Sequence, residues 1–234
     1  MIDISGKWAL VTGASRGIGR RVAAALADKG CRLILHSRKT AGTDTLAEAI
    51  SATGTEVYQI GADLSEPGAV SRITAQTHDI SGGRIDILYN NAAVMTDYLD
   101  TFTVPEEDFA LSFLINTIVP VKLCDAFLPD MLARNWGRVV NVTSGISDQP
   151  QLMAYSCSKA ALDRYVRDMI PALSGTNVLL NLMDPGWLRT DMGGPDAPND
   201  PDSVLPGALV PVLLDETEGS GKLYRAQDYS KNRT

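Results

Sequence analysis

Thr12-Gly13-Ala14-Ser15-Arg16-Gly17-Ile18-Gly19 follows a short apolar run, Trp8 to Val11, and opens a helical pattern at about Gly17. Gly13 lets the chain turn sharply off a strand. Gly17 and Gly19 remove side chains where backbone N–H groups must approach a pyrophosphate and where helix meets sheet. The amino terminus of the helix adds positive potential for an anion. A glycine-rich turn by itself is weak, since ordinary tight turns also collect glycine; its place between a first strand and a first helix makes it a dinucleotide-binding turn. Ser15, Arg16 and Ile18 lie within that turn and are expected to share the contact.

Working outward, apolar runs of five to seven residues recur between longer helical patterns, the signature of parallel strands joined by crossover helices. Strands are expected near Trp8–Val11, Arg32–His36, Glu56–Ile60, Ile85–Tyr89, Arg138–Val142, Val178–Met183 and Lys222–Arg225. Helices are expected over Gly17–Lys29, Thr43–Thr53, Pro67–Ile80, Pro105–Asn135 with a bend near Pro120, Ala154–Leu173 and Ser203–Leu214. This βαβα alternation predicts an α/β fold, a doubly wound seven-stranded parallel sheet with helices on both faces and ligands at the carboxyl ends of the strands. No linker or repeat marks a second domain, so residues 1–234 read as one dinucleotide-binding domain. The stretch Gly193–Pro206, rich in Pro, Gly, Asp and Asn, reads as a mobile loop over a site.

Composition narrows the function. At 234 residues with 44% hydrophobic and 21% charged residues, the chain supports one large core without crosslinks. Cys31, Cys124 and Cys157 are odd in number and form no C-x-x-C pair, which fits a reducing compartment. The amino terminus lacks a basic region followed by an apolar stretch, and no run approaches the ~18 apolar residues of a membrane span. A cytoplasmic protein is therefore expected, and the Asn141-Val142-Thr143 sequon is read as accidental. A net charge of −7 without a basic run disfavours nucleic acid. His36 and His78 are the sole histidines and neither begins a ligand cluster, so no metal is expected.

The end of the second strand selects the cofactor. NAD sites place an acidic residue there for the ribose, whereas NADP sites place positive charge near the 2′-phosphate. His36-Ser37-Arg38-Lys39 carries no carboxylate. Arg38 can reach a phosphate with its planar fork and Arg16 can close from the glycine turn, so NADP(H) is expected over NAD(H), with Ser37 alongside. The competing reading leaves Arg38 and Lys39 solvated.

Tyr155 and Lys159 stand four residues apart and thus on one helical face. A free tyrosine titrates near ~10 and is a reluctant base at neutral pH. Lowering it by about two units needs about 2.7 kcal/mol, which one positive charge at ~4 Å supplies at intermediate dielectric. Lys159 and an oxidised nicotinamide are the expected sources of that charge. By itself the spacing is common, and a surface tyrosine beside a solvated lysine would be the ordinary reading.

Together with the glycine turn, Asp63, Asn90-Asn91-Ala92-Ala93, Asn116, Asn141-Val142-Thr143-Ser144 and Pro185-Gly186, the chain closely resembles the short-chain dehydrogenase/reductase family, from about Gly6 to Thr190 and in the correct order. The resemblance implies a Rossmann-type fold and an oxidoreductase that interconverts a carbonyl and an alcohol. It implies that Tyr155 is the general acid or base and that Ser144 hydrogen-bonds the reacting oxygen. Lys159 would hold the nicotinamide ribose and lower the tyrosine pKa, and Asn116 would hold a water linking Lys159 to solvent. Asp63, with Leu64 beside it, would contact adenine, although an aspartate before Leu64-Ser65 could equally cap a helix. Asn90 would support the fourth strand beside the cofactor, or simply make strand-end hydrogen bonds, and Ala92 would permit close approach. Pro185-Gly186 would bring backbone beside the nicotinamide, with Thr190 on its carboxamide. The family often assembles as homodimers or homotetramers.

Four departures from the family pattern stand out. Ala93 replaces a usual glycine, a mild change if its φ is negative. Ser144 precedes Tyr155 by eleven residues, about two fewer than is common, which shortens the loop Gly145–Ala154 and leaves Thr143 as an alternative hydroxyl. Pro171 deletes a backbone donor late in the Tyr155 helix, which should kink or stop there. The tail Gly219–Thr234 lacks the family's frequent terminal Asp-Gly-Gly.

Met95, Ile146, Leu152, Trp187 and Met192 are expected around the substrate, favouring an uncharged, moderately hydrophobic carbonyl compound, although such side chains often simply fill cores. A 3-oxoacyl thioester ranks second, because an acidic carrier protein prefers a more basic surface. A non-catalytic NADP(H) sensor on the same fold is the rival of a different class, and the joint presence of Asn116, Ser144, Tyr155 and Lys159 argues against it. A sugar-nucleotide epimerase shares the tyrosine–lysine spacing but needs more than the 44 residues that follow Thr190.

Overall fold

The computed structural model describes residues 1–98 and 103–230; the last four residues of the Gly219–Thr234 tail lie outside the described residues. Strands β1 (Trp8–Val11), β2 (Arg32–Ser37), β3 (Val57–Gly61), β4 (Ile87–Asn90), β5 (Gly137–Val142), β6 (Val178–Asp184) and β7 (Leu223–Arg225) form one sheet in the order β3-β2-β1-β4-β5-β6-β7. Every pairing is parallel. Alternate residues of the inner strands supply two cores. Ala9, Val11, Leu33, Leu35, Val140 and Val142 pack on the face that carries α1 (Gly17–Asp28) and α2 (Asp44–Ser51). Trp8, Leu10, Ile34, Val139 and Leu180 pack on the face that carries α3 (Ala69–Ser81). Burial on both faces is why these strands read as continuous apolar runs and not as alternating ones. The order reverses between β1 and β4, so the crevice for a ligand opens at the carboxyl ends of those two strands.

The long helix expected over Pro105–Asn135 comes in three parts. These are α4 (Glu106–Phe113), a wide π-type turn over Leu114–Ile118 and α5 (Val119–Ala133). Pro120 causes the break, because it has no N–H to return to the carbonyl four residues back, and the ladder widens just before it. By length and composition Glu106–Ala133 could cross a membrane, contrary to the expectation that no stretch approaches this; half of its most apolar window is buried inside the fold, as in a core helix. Helix α6 (Met153–Asp168) stops before Pro171, and a short α7 (Ile170–Leu173) follows, as that proline requires.

The helix expected over Ser203–Leu214 is absent. Two 3₁₀ turns, Pro201–Val204 and Gly207–Val212, take its place. Pro206 and Pro211 each delete a donor that an α-helix would use, so the apolar residues Val204, Leu209 and Val212 reach the core from tight turns instead. The loop before them, expected to be mobile, carries many ties. Arg21 pairs with Asp202 at 2.5 Å, Arg189 with Asp200 at 3.2 Å, and Trp187 Nε1 donates to the Gly193 carbonyl at 2.7 Å.

Candidate active site

The turn after β1 is held from three sides. His36, buried at the end of β2, accepts the Gly13 N–H on Nδ1 at 3.5 Å and donates from Nε2 to the Ala62 carbonyl at 3.0 Å. Its burial lowers the imidazole pKa, so the neutral ring is the form that fits this bonding. Thr12 Oγ1 accepts the N–H groups of Asn91 and Ala92 at 3.0 and 3.1 Å, and the Asn91 amide donates to the carbonyls of Thr12 and Gly13 at 2.9 and 3.1 Å. Gly13 has φ +68° and Gly17 φ +55°, a region that disfavours side chains. A Cβ on Gly13 would lie 2.9 Å from the Ala92 Cα, and one on Gly19 would overlap the Gly13 carbonyl oxygen. These glycines therefore make the turn as well as clearing room above it.

Helix α1 starts from this turn with no side-chain cap on its N-terminus and no acidic residue in its first turn. Its leading N–H groups remain available to an anion, so the turn fits a dinucleotide pyrophosphate. Ser15 stands at the edge of the turn beside Gly42, and Ile18 packs against the core. Thr190 brings its methyl group over Gly17 while its hydroxyl accepts the Gly193 N–H at 3.2 Å.

Both arginines expected at the cofactor phosphate face solvent and carboxylates. Arg16 is paired with Asp191 at 2.6 Å, and Arg38 lies 3.8 Å from Asp63. Ser37 donates to the Lys39 carbonyl at 2.7 Å and shapes the loop. Asp63 accepts the Ser65 N–H at 2.9 Å and hydroxyl at 2.7 Å, which holds its carboxyl below the usual carboxylate range. This is a local turn and not a helix cap, because α3 begins only at Ala69. Leu64 beside it is buried. Ala93 is not among the positive-φ residues, so the missing glycine carries no strain.

At the ends of β4 and β5, Asn90 donates to Asn141 Oδ1 at 2.8 Å, the strand-end bond expected of it. Asn116 sits in the wide turn before α5, and both of its amide hydrogens are engaged. Oδ1 accepts the Val94 N–H at 2.9 Å, while Nδ2 donates to the Val94 carbonyl at 2.8 Å and to Ser158 Oγ at 3.0 Å. A water at Asn116 would find no free side-chain N–H there. The main-chain carbonyl of Asn116 is the alternative, since Pro120, four residues on, cannot donate to it.

Lys159 stands on the Tyr155 face of α6 as the spacing predicts, and Ser144 is near the phenol as the resemblance implied. Ser144 is near enough to the Tyr155 phenol to favour its ionised form, whereas Thr143 turns the other way and donates to Asp163, which removes Thr143 as the alternative hydroxyl. Lys159 Nζ lies 5.9 Å from the Tyr155 ring centre and donates to the Val142 carbonyl at 2.7 Å. One expectation is corrected here: the phenol is raised above its ordinary pKa, not lowered. Burial is the largest cause, Ser144 opposes it, and the Asp184 carboxylate adds to it. The Lys159 ammonium is engaged by the Val142 carbonyl, and its own pKa is pushed down to about 8 by burial, with Asp163 pulling it back. Gly186, at φ +76°, turns the chain after Pro185, whose carbonyl accepts Gln227 Nε2 at 2.9 Å. Of the residues expected around a substrate, Met95, Met192 and Trp187 are exposed and Leu152 is buried.

The family model for short chain dehydrogenases matches residues 7–200. The chain belongs to the short-chain dehydrogenase family. A short chain dehydrogenase of Pseudocercospora fijiensis is 32% identical over 216 residues, covering 90% of this chain and 67% of its own. Versicolorin reductase 1 of Aspergillus parasiticus is 33% identical over 195 residues, covering 81% and 72%. Among solved structures, a 3-oxoacyl (acyl-carrier-protein) reductase from Agrobacterium tumefaciens with NADP bound superposes with a TM-score of 0.83 at 29% identity, covering 95% of this chain and 93% of that one. The family makes this chain an oxidoreductase of small molecules, and its Rossmann-type sheet matches those structures.

Sequence reasoning missed His36, Thr12 and Asn91 as supports of the glycine turn, Asp163 as an acid near Lys159, and Asp184 at the end of β6. Thr12 and Asn91 adjoin residues that it did select. Asp163 lies one helical turn beyond Lys159, which could have flagged it.

Proposed function

We propose that this protein is an NADP(H)-dependent reductase of a moderately apolar carbonyl compound, with Tyr155 giving the proton. The observation that carries the reading is Lys159 one helical turn from Tyr155 with its ammonium 5.9 Å from that ring, and Ser144 near the phenol, beside an uncapped glycine-rich helix start at the same edge of the sheet. When bound, the nicotinamide supplies or takes the hydride. Ser144 orients the substrate oxygen toward the phenol, and a phenol kept neutral by burial is suited to give a proton to that oxygen. Lys159 is placed to bind the ribose hydroxyls, and Asn116 braces α6 through Ser158. The glycine turn from Gly13 to Gly19, with Asp63, Leu64, Asn90, Ala92, Pro185, Gly186 and Thr190, would hold the remaining length of the dinucleotide.

NADP(H) is favoured because the end of β2 offers Arg38 and Lys39 and no acid, and because Arg16 lies at the mouth of the turn. The Agrobacterium tumefaciens relative, which carries NADP, supports the same choice. Exposed Trp187, Met95 and Met192 favour an uncharged, apolar substrate. A 3-oxoacyl thioester is the second reading; the name of that same relative favours it, and the net charge of −7 disfavours an acidic carrier.

The test follows NADPH absorbance with ketones, aldehydes, quinones and 3-oxoacyl thioesters. Turnover of a ketone or aldehyde is expected, and Tyr155→Phe is expected to bind NADPH normally and lose at least ~100-fold in rate. Parental turnover by that variant would overturn the proton role, and NADPH binding without reduction of any compound would favour the sensor.

A further inference from the structure

The helix that carries Tyr155 grips the outgoing end of β5 at two successive residues, and the proposed chemistry uses only one of these contacts. Lys159 Nζ donates to the Val142 carbonyl at 2.7 Å. One helical turn further on, Asp163 accepts the Thr143 hydroxyl on Oδ1. Strand alternation sets this up. Residues 139, 141 and 143 point to the same side of the sheet, and Val139 packs there in one core with Val166 of α6. Thr143 is 2% exposed, so its hydroxyl must find a partner inside the fold, and it finds a carboxylate on α6.

The place of this second contact gives it a consequence for the site. The ladder between β5 and β6 ends with Val142 opposite Met183, and its last bond runs from the Thr143 N–H to the Met183 carbonyl at 2.9 Å. Ser144 is the first residue beyond that bond, and no helix or strand follows it until Pro150. Toward β6 the segment has no room to lean, because a Cβ on Gly145 would lie 2.8 Å from Asp184 Oδ2. Toward α6 the Thr143 side chain fixes the residue just before Ser144. A carboxylate acceptor makes that tie a charge-assisted one. Lys159 and Arg167 also feel the Asp163 charge, so the bond and the charge must be separated by experiment.

We propose that Asp163 is a positioning residue: by taking the Thr143 hydroxyl it locks the end of β5 to α6 and holds Ser144 in register with Tyr155 on that helix. It touches no reacting atom itself. With the tie cut, Ser144 is free to drift along α6, and a misplacement on the order of 1 Å costs up to about 100-fold in rate. The inference rests on the roles given to Ser144 and Tyr155 in the proposed function.

Thr143→Val and Asp163→Leu each remove one end of the tie, whereas Thr143→Ser keeps the donor and Asp163→Asn keeps an acceptor without the charge. Hydrogen–deuterium exchange of the full-length protein over residues 144–149 reads the register without turnover, because the Ile146 N–H donates to Ser144 Oγ at 3.2 Å. Exchange there is expected to rise in Thr143→Val and Asp163→Leu and to stay parental in Thr143→Ser and Asp163→Asn. With a ketone or aldehyde that the parent reduces, Thr143→Val and Asp163→Leu are expected to lose ~10- to 100-fold in kcat with KM for NADPH held within ~2-fold. The double variant should lose no more than either single one, since both cut the same tie. Thr143→Val is nearly isosteric and serves if Asp163→Leu misfolds. Parental exchange or parental kcat in Thr143→Val overturns the inference and leaves the proposed function standing. Equal losses in Asp163→Asn and Asp163→Leu overturn it too, by assigning the effect to charge. Parental turnover by Tyr155→Phe would instead remove the proposed function, while the exchange data still reported the tie.

Discussion

Lys159→Met isolates the energetic consequence of burying an ammonium at the heart of the site. Lys159 is 3% exposed, and burial brings its pKa from 10.5 down to about 8. Above about 10.5 the side chain is neutral both folded and unfolded, and the burial penalty vanishes. Between 10.5 and 8 the unfolded chain binds a proton that the folded one lacks, so stability falls as pH falls through this window. Below 8 the ammonium is charged in both states and the penalty is complete, at about 3 kcal/mol for this difference in pKa. Methionine keeps most of the stem and carries no charge. It also strips the Val142 carbonyl of its donor, a loss of about 1–3 kcal/mol that does not vary with pH. Urea unfolding of both proteins, in reductant and at a series of pH values, separates the two effects. The variant is expected to gain about 3 kcal/mol relative to the parent between pH ~10.5 and pH ~7.5. A stability difference that stays flat across that window would refute the buried, depressed ammonium.

Gly19→Ala drives a methyl into the Gly13 carbonyl, so it should lower unfolding stability by at least ~2 kcal/mol and abolish NADPH binding; an unchanged denaturation midpoint would contradict the packing of the turn. His36 is neutral and buried with a lowered pKa, so the folded state loses stability as pH falls below about 6.5, where the unfolded imidazole takes a proton first. His36→Asn should be less stable at neutral pH yet lack that acid-side loss, and parallel pH–stability curves would count against this account. Arg38→Gln should weaken NADPH binding ~10- to 100-fold and leave NADH binding unchanged, as titration by cofactor fluorescence would report; equal losses for both would remove the basis for NADP(H) preference.

Most of the sheet was legible because buried parallel strands announce themselves as apolar runs. Trp8–Val11 was located to the residue, and the other strands to within two residues at either end. The segment Ser203–Leu214 misled because its apolar spacing resembles a helix, while Pro206 and Pro211 forbid one. Tyr155 and Lys159 could be brought together in advance because they lie on one helical face, whereas Ser144 was legible only through the family resemblance. The sign of the Tyr155 shift was not legible. It depends first on how deeply the folded chain buries the phenol, which no local pattern of residues reveals. The bracing of the Asn116 amide was hidden as well, since Val94 and Ser158 reach it from separate elements.

The knot that Thr12 and Asn91 tie across β1 and β4 has a consequence for recognition. It spans the very seam where strand order reverses, so the gap between the two halves of the sheet is set before any guest arrives. Little freedom remains there to be frozen on binding, and affinity is spent on selection among nucleotides in place of assembling the groove.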